Sequence, residues 1–581
     1  MSGARREVVR PQTMALIDSK EVFDAVVVGA GAGGGTASRV LTDHGLKVLL
    51  LEAGGPLDPA EEFKEHKTFA DYDHRGTEHG KSYFGDGKPF GFMSTTSGGW
   101  ELDGEPYTTA EGTDFRWFRS RIVGGRTNHY GRMSFRFSDL DMRARSIDGV
   151  GVNWPMSYDE LSKYYDKAES FIGVTGTTEG IPSAPDGIFQ DAPAPKVHEL
   201  LARRAGKDLG IPFIANRRAI VTNGLPNRIP CHYCGQCGRG CQTASAYASS
   251  QVEIFPAIEK GLKLVTDAMV REVSVDSSGK PDGVIYVNRK TRLEHRVRAK
   301  AVILAASTCE TARIMLNSKS KHHPNGLANG SGQVGRNLMD TVGFGLSGYV
   351  PALEGMPKYN TDGFGGSHLY APWWGYKDHE KLGFPRGYHI EFGGGFGMPR
   401  PGSFHGTARR MGYGAKIKEE VRARYGANVG FAGRGEMIPN DMSYCEIDPD
   451  VVDKWGIPVL KFHFQFTDYE WKQARHMEKS FTEIIEAMGG RVVGLKNADR
   501  EADGISVPGS IIHEVGTAAM GHTADTSVLN KYCQSWEAKN LFVVDGAALP
   551  SNPDKNPTLT INALSWRASD YLAEEARKGN V

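Results

Sequence analysis

The chain has 581 residues, too many for one hydrophobic core, so two domains are expected. Its 39% hydrophobic and 24% charged residues are the balance of a globular protein, not of a disordered or fibrous one. Lys plus Arg and Asp plus Glu number 69 each, which argues against a nucleic-acid binder, and no apolar run of about eighteen residues is present to span a bilayer.

Residues 1–20 are charged, with no apolar stretch and no small-residue cleavage site, so a lead-in without a secretory signal is expected there. From 24 to 35 the chain reads DAVVVGAGAGGG, and residues 25–28 form the apolar, β-branched run of a buried parallel strand. Gly29, Gly31 and Gly34 then give G-x-G-x-x-G ahead of a helix-compatible stretch, and a second strand, KVLLLE, ends at Glu52. The first glycine permits a tight turn, the second lets the backbone approach a pyrophosphate, and the third lets helix and strand pack closely. Unpaired N–H groups at the helix start hold phosphates, and Glu52 stands where an acid bonds a ribose hydroxyl. A dinucleotide site follows, with FAD and NAD both open at this point.

A second glycine-rich segment, RIVGGRTNHYGRM, occupies 121–133. CHYCGQCGRGC, 231–241, then places four of the seven cysteines at the spacing C-x2-C-x2-C-x3-C. Thiolates hold iron–sulfur clusters, and this spacing is that of bacterial ferredoxins, except that Gln242 stands where Pro would follow. Zinc, which favours cysteine pairs separated by a longer spacer, and disulfides, which need an oxidising compartment, are the alternatives. Cys309, Cys445 and Cys533 are scattered singly and are expected to be buried free thiols.

Residues from about 345 to 500 lack nucleotide motifs and carry aromatics and glycines, as in YNTDGFGGSHLYAPWWGY (359–376) and GYHIEFGGGFGMPRPG (387–402). Tyr370, Trp373, Trp374 and His389 are candidates for stacking on sugar C–H surfaces or for packing a sheet. An amphipathic helix is expected over 466–490. IIHEVGTAAMGH (511–522) sets His513 ahead of a Gly-Thr turn. NLFVVDGAALPSNPDKNPTLTINAL (540–564) gives a strand, Asp545 and Gly546, and then Asn556, which opens a helix and could serve there as an N-cap.

These segments, together with AVILAAST at 301–308 and VGRNLMD at 334–340, resemble the glucose–methanol–choline (GMC) family of FAD-dependent oxidoreductases over nearly the whole chain. The resemblance implies an α/β fold with a Rossmann-like FAD-binding domain, discontinuous over 21–345 and 501–578 and carrying the Cys-rich segment at 228–245. An α+β substrate domain, 346–500, would roof the flavin with a mixed sheet. It further implies that His513 faces the flavin and takes the substrate's hydroxyl proton, while Asn556 donates a hydrogen bond to the substrate oxygen. Gly29, Gly31, Gly34, Glu52, Gly124, Gly125, Asn128, His129, Val270, Asp545 and Gly546 are the expected FAD contacts, and His129 is also a candidate for covalent flavin attachment.

The four-cysteine element is similar to that of the family's dehydrogenase branch, which includes bacterial FAD-dependent glucose dehydrogenases and glucoside 3-dehydrogenases. It implies a [3Fe–4S] or [4Fe–4S] cluster on Cys231, Cys234, Cys237 and Cys241. The expected activity is oxidation of a sugar or glycoside hydroxyl, at C3 ahead of C1 or C2, by hydride transfer to flavin N5. Electrons would pass on to a cytochrome c-type acceptor. An oxidase using O2 and an electron-transfer protein with a vestigial pocket are the alternatives. A small accessory subunit is the expected partner, with periplasmic residence by co-export with a signal-bearing partner, or residence in the cytoplasm.

Overall fold

The computed structural model describes residues 16–63, 65–66, 77–78, 81–82, 98–356, 363–377, 381–395, 414–493 and 504–581. Most of the expected lead-in, 1–15, and residues 359–362 and 396–402 of the aromatic stretches lie outside the described residues.

Two sheets position everything that follows. In chain order their strands are β1 (Leu16–Val28), β2 (Val48–Leu51), β3 (Ile214–Ala215), β4 (Lys263–Val265), β5 (Ala268–Val275), β6 (Pro281–Asn288) and β7 (Glu294–Leu304). They continue as β8 (Val342–Tyr349), β9 (Leu369–Ala371), β10 (Tyr388–Gly394), β11 (Asn428–Gly435), β12 (Arg491–Val492) and β13 (Leu541–Val543). Three helices matter here: α1 (Ala32–Asp43), α2 (Asp468–Ala487) and α3 (Thr558–Arg577).

The first sheet runs β4-β2-β1-β7-β6-β5, with β13 also paired to β7. β1 lies parallel to both β2 and β7, which explains its unbroken apolar run: Ala25, Val26, Val27 and Val28 are all buried, as a strand covered on both faces requires. β1 begins at Leu16, so the last five residues assigned to the lead-in are strand, opposite β7. α1 starts directly after the first glycine turn. A Cβ on Gly34 would stand 1.8 Å from the carbonyl oxygen of Gly29, so the close helix-to-turn contact exists only because that side chain is a hydrogen. α3 seals the other side of α1, where Ser565 Oγ donates to Gly33 O at 2.6 Å and Asn562 Nδ2 donates to Thr36 Oγ1 at 2.9 Å.

The second sheet runs β3-β9-β10-β11-β8-β12. Every one of its pairings is antiparallel, where a mixed sheet was expected. The reason is coverage: α2 packs one face only, so no parallel crossover is needed, and the strands alternate. The α2 helix is the amphipathic one read from the sequence; its Ala474, Met477, Phe481, Ile484 and Ile485 are buried against the sheet side. The period of two then assigns side chains to faces. Register pairs Tyr388 with Gly435 and Ile390 with Gly433, and a Cβ on Gly433 would meet Met477 of α2. His389, Glu391 and Arg434 therefore share the opposite face.

Candidate active site

A cavity of about 490 Å³ collects residues from both sheets, within the size range of small-molecule sites. At one end stand Gly29, Gly31 and Glu52; at the other stand Glu391, Arg434, His513 and Asn556. The residues fit FAD. A Cβ on Gly31 would have no heavy atom within 4 Å, so the start of α1 offers an open cradle for a pyrophosphate. Glu52 is held in place: its Oε2 accepts from Ala30 N at 2.9 Å and its Oε1 from Gly54 N at 2.6 Å. Burial pushes that carboxyl up, and the two N–H groups oppose the shift.

Gly125, His129, Val270, Asp545 and Gly546 also line the cavity. Asp545 accepts from Ser307 N, Thr311 Oγ1 and Ala547 N, which ties the β7 turn to the β13 turn. Gly124 and Asn128 stand behind the lining, and Asn128 pins the turn by donating to Val123 O at 2.9 Å and accepting from Ser250 Oγ at 2.8 Å. His129 packs edge-on against Phe118, and burial, aided by Arg132 and Arg126, pushes it down to about 3, so it is neutral.

At the opposite end the hydrogen bonds fix one another. Glu391 is ionised: burial alone would raise its carboxyl, but Arg434, at 3.1 Å, and His389 hold it well below the usual carboxylate range. A carboxylate only accepts, so the Asn556 nitrogen facing it at 3.4 Å must be the amide Nδ2. The same Nδ2 lies 3.1 Å from His513 Nε2, which must then be the unprotonated ring nitrogen. His513 Nδ1 carries the proton and donates to Thr341 Oγ1 at 3.0 Å. Burial, joined by Arg434, pushes His513 down to about 3, against the pull of Glu391, so the ring is neutral with its Nε2 lone pair in the cavity. Asp340 clamps the backbone beneath it, accepting from His513 N at 2.9 Å. Beside it, Arg126 Nη1 meets Glu514 Oε2 at 2.6 Å.

His513 and Asn556, 43 residues apart, are thus brought together as expected. Asn556 is not an N-cap: α3 takes Pro557 as its cap residue without a side-chain bond, which frees the amide for His513. The aromatic candidates fare differently. Tyr370 stacks on Phe135 at 4.4 Å, and Trp373 packs among Trp374, Phe384, Tyr388 and His476 on the α2 side of the sheet, away from the cavity. His389 stands one layer back, 3.5 Å from Glu391. Glu391 and Arg434 take the place those aromatics were expected to fill. The signal was present in YHIEF, where period-two alternation separates Tyr388 and Ile390 from His389 and Glu391.

The cysteine loop adjoins this cavity, and its Gly238 is part of the lining. Cys237 and Cys241 are buried, Cys231 and Cys234 half-buried, and all seven cysteines are free thiols, so the disulfide alternative is not found. Among the described residues no three His, Cys, Asp or Glu side chains converge as they do around a single metal ion. Four cysteine sulfurs in one loop are the donor type that iron–sulfur groups use. Backbone N–H groups of Tyr233, Gly365 and Ala246 reach the sulfurs of Cys231, Cys237 and Cys241 at 3.4, 3.3 and 3.5 Å, and Gln236 N–H serves Cys234. Hydrogen bonds to sulfur are among the groups that tune such clusters.

Comparison with known proteins agrees with this geometry. The family models described as GMC oxidoreductase match residues 23–342 and 439–565. The chain is 29% identical over 561 residues, 96% of both chains, to the 2-methyl-1,2-propanediol dehydrogenase of Mycolicibacterium austroafricanum. It is 27% identical over 576 residues to the fructose dehydrogenase large subunit of Gluconobacter japonicus, covering 96% of this chain and 98% of that one. The crystal structure of pyridoxine 4-oxidase from Mesorbium loti shares the fold, with a TM-score of 0.62 at 16% identity over 94% of this chain and 98% of that one.

Proposed function

Because the chain belongs to the GMC oxidoreductase family, an enzyme family acting on CH–OH donors, we propose that it is an FAD-dependent dehydrogenase of a sugar or glycoside hydroxyl, C3 before C1 or C2. Electrons would leave through an iron–sulfur cluster on Cys231, Cys234, Cys237 and Cys241 to a cytochrome c-type acceptor, with a small signal-bearing subunit as partner in the periplasm. The observation that carries the reading is the Glu391–Asn556–His513–Thr341 chain, which sets one acceptor, His513 Nε2, beside one donor, Asn556 Nδ2, at the cavity wall.

Gly31, Glu52, Val270 and Asp545 would hold FAD, which when bound would supply the hydride acceptor. The chain's own work is proton handling and orientation. The substrate O–H would replace the direct bond between Asn556 Nδ2 and His513 Nε2, the amide donating to the oxygen and the imidazole accepting its proton. As the C–H bond gives up its hydride, the C–O bond becomes C=O, and His513 holds the proton as an imidazolium faced by the Glu391 charge. The Glu391–Arg434 pair gives the roof both acceptors and donors, which suits a polyol better than an apolar alcohol.

The test is anaerobic mixing of the purified protein with D-glucose, D-fructose, methyl glucosides and 1,2-diols while the flavin spectrum is read. Bleaching by the sugars, reduction of added cytochrome c and little peroxide in air are expected. Bleaching by the diols alone overturns the sugar assignment, and stoichiometric peroxide overturns the dehydrogenase assignment.

A further inference from the structure

The cysteine loop is surrounded by buried cations that lack counterions. Arg132 has no exposed surface, and its guanidinium donates only to carbonyls: Tyr130 O at 2.7 Å, Asn128 O at 2.8 Å, Tyr247 O at 3.3 Å and Cys237 O. Arg228, 7% exposed, donates to Ala244 O, Ile172 O and Ser245 O at 2.8, 2.7 and 3.0 Å, two of them just past Cys241. Arg218, 2% exposed, reaches Ser367 O at 3.4 Å, leaves its Nε without a partner, and lies over the ring of Phe364, which packs with Cys237 and Cys241.

None of the three has a carboxylate within ion-pair distance among the described residues. The acid whose field reaches Arg218 is Glu391, already paired with Arg434, and Glu65 is the carboxylate bonded to the loop, at Gln242 N. Elsewhere most buried guanidinium groups meet carboxylates: Arg121 meets Glu105 and Glu310, Arg136 meets Glu169, Arg313 meets Asp453, and Arg386 meets Asp148 and Glu436, while Arg119 donates to the carbonyls of Glu105 and Trp100. A buried cation without a partner is costly. Three such cations around four thiols point to a resident anion that the protein chain does not itself supply.

We infer that Arg132, Arg218 and Arg228 provide the counter-charge for the anionic, thiolate-bound iron–sulfur group and raise its reduction potential. The inference rests on the cluster reading above and deepens it. Reduction adds one electron, hence one negative charge, to the group. The electron comes from the reduced flavin and leaves to the external acceptor, and the three guanidinium groups stabilise the more negative form. Without them a buried thiolate cluster would be harder to reduce. Potential tuning by charge and hydrogen bonding is general to these cofactors.

The experiment compares the full-length holoprotein with Arg218→Met and Arg218→Lys, reading iron per chain and the cluster midpoint by a spectroscopically monitored redox titration. A unit charge removed from within roughly 12 Å, at an effective dielectric near 20, shifts the reduction equilibrium about tenfold. For one electron that is about 59 mV, in the negative direction. Arg218→Lys is expected to keep the parent midpoint. Loss of iron from Arg218→Met but not from Arg218→Lys supports the same role, since Lys keeps the charge and Met does not. An unchanged midpoint in Arg218→Met with iron retained overturns the inference while leaving the cluster in place, as does loss of iron from both variants. A parent protein that binds no iron overturns inference and cluster reading together.

Discussion

Glu391→Gln is the sharpest probe of the catalytic arrangement. The substitution keeps the size of the side chain but removes the charge that faces Arg434 at 3.1 Å and accepts from Asn556 Nδ2 at 3.4 Å. The consequence travels outward. Asn556 Oδ1 has no partner in the structure, so an amide no longer held by a carboxylate is free to turn and present its oxygen to His513. That orientation demands a proton on Nε2, the nitrogen required to receive one from substrate. A hydrogen bond to a charged group contributes about 1.5–3 kcal/mol, which is roughly tenfold to a hundredfold in rate. Stopped-flow flavin reduction by excess sugar under anaerobic conditions should show that loss in the limiting rate, with flavin content unchanged. Glu391→Asp should recover part of it, because the charge returns at a longer reach. A limiting rate within twofold of the parent would show that Glu391 does not orient Asn556, and the tautomer argument for His513 would fall with it.

His513→Ala should retain flavin yet lose flavin reduction by about two to four orders of magnitude, the usual contribution of a general base; near-normal turnover removes it from the mechanism. Because His513 is held at about 3, the flavin-reduction rate should show no inflection near 6.5, the ordinary histidine value, and a clear bend there in the parent would contradict its buried, neutral state. Gly31→Val fills the open cradle at the start of α1, so the protein should purify folded but release no FAD on acid precipitation, and a full complement of released FAD would rule out a pyrophosphate at that turn. His198 is buried and held at about 3, below its unfolded value of about 6.5, so it contributes stability above pH 6.5 that is lost as pH falls toward 3. His198→Phe should therefore gain on the parent by roughly 2 kcal/mol between pH 7 and pH 5. A Tm difference between the two proteins that does not change with pH contradicts this.

How much of this could be read from the sequence depends on how far apart the cooperating residues lie. The nucleotide end was legible because β1, the glycine turn, α1 and β2 are contiguous, and each glycine answers a local steric demand, as the 1.8 Å approach at Gly34 shows. His513 and Asn556 were legible as motif residues, although only the structure shows that Asn556 declines its capping role. Glu391 and Arg434 were not, since their meeting depends on the register that sets His389 opposite Arg434 and on which face α2 covers. Aromatic residues drew the eye in that region, yet Trp373 serves the α2 interface, where large apolar rings are worth most. The arginines around the cysteine loop are the extreme case. Positions 132, 218 and 228 span nearly a hundred residues, and a sequence with 69 basic and 69 acidic side chains gives no sign that, among the described residues, these three donate to carbonyl oxygens and to no carboxylate. Overall neutrality hides local imbalance, and here the imbalance is centred on a loop whose proposed bound form would be negative.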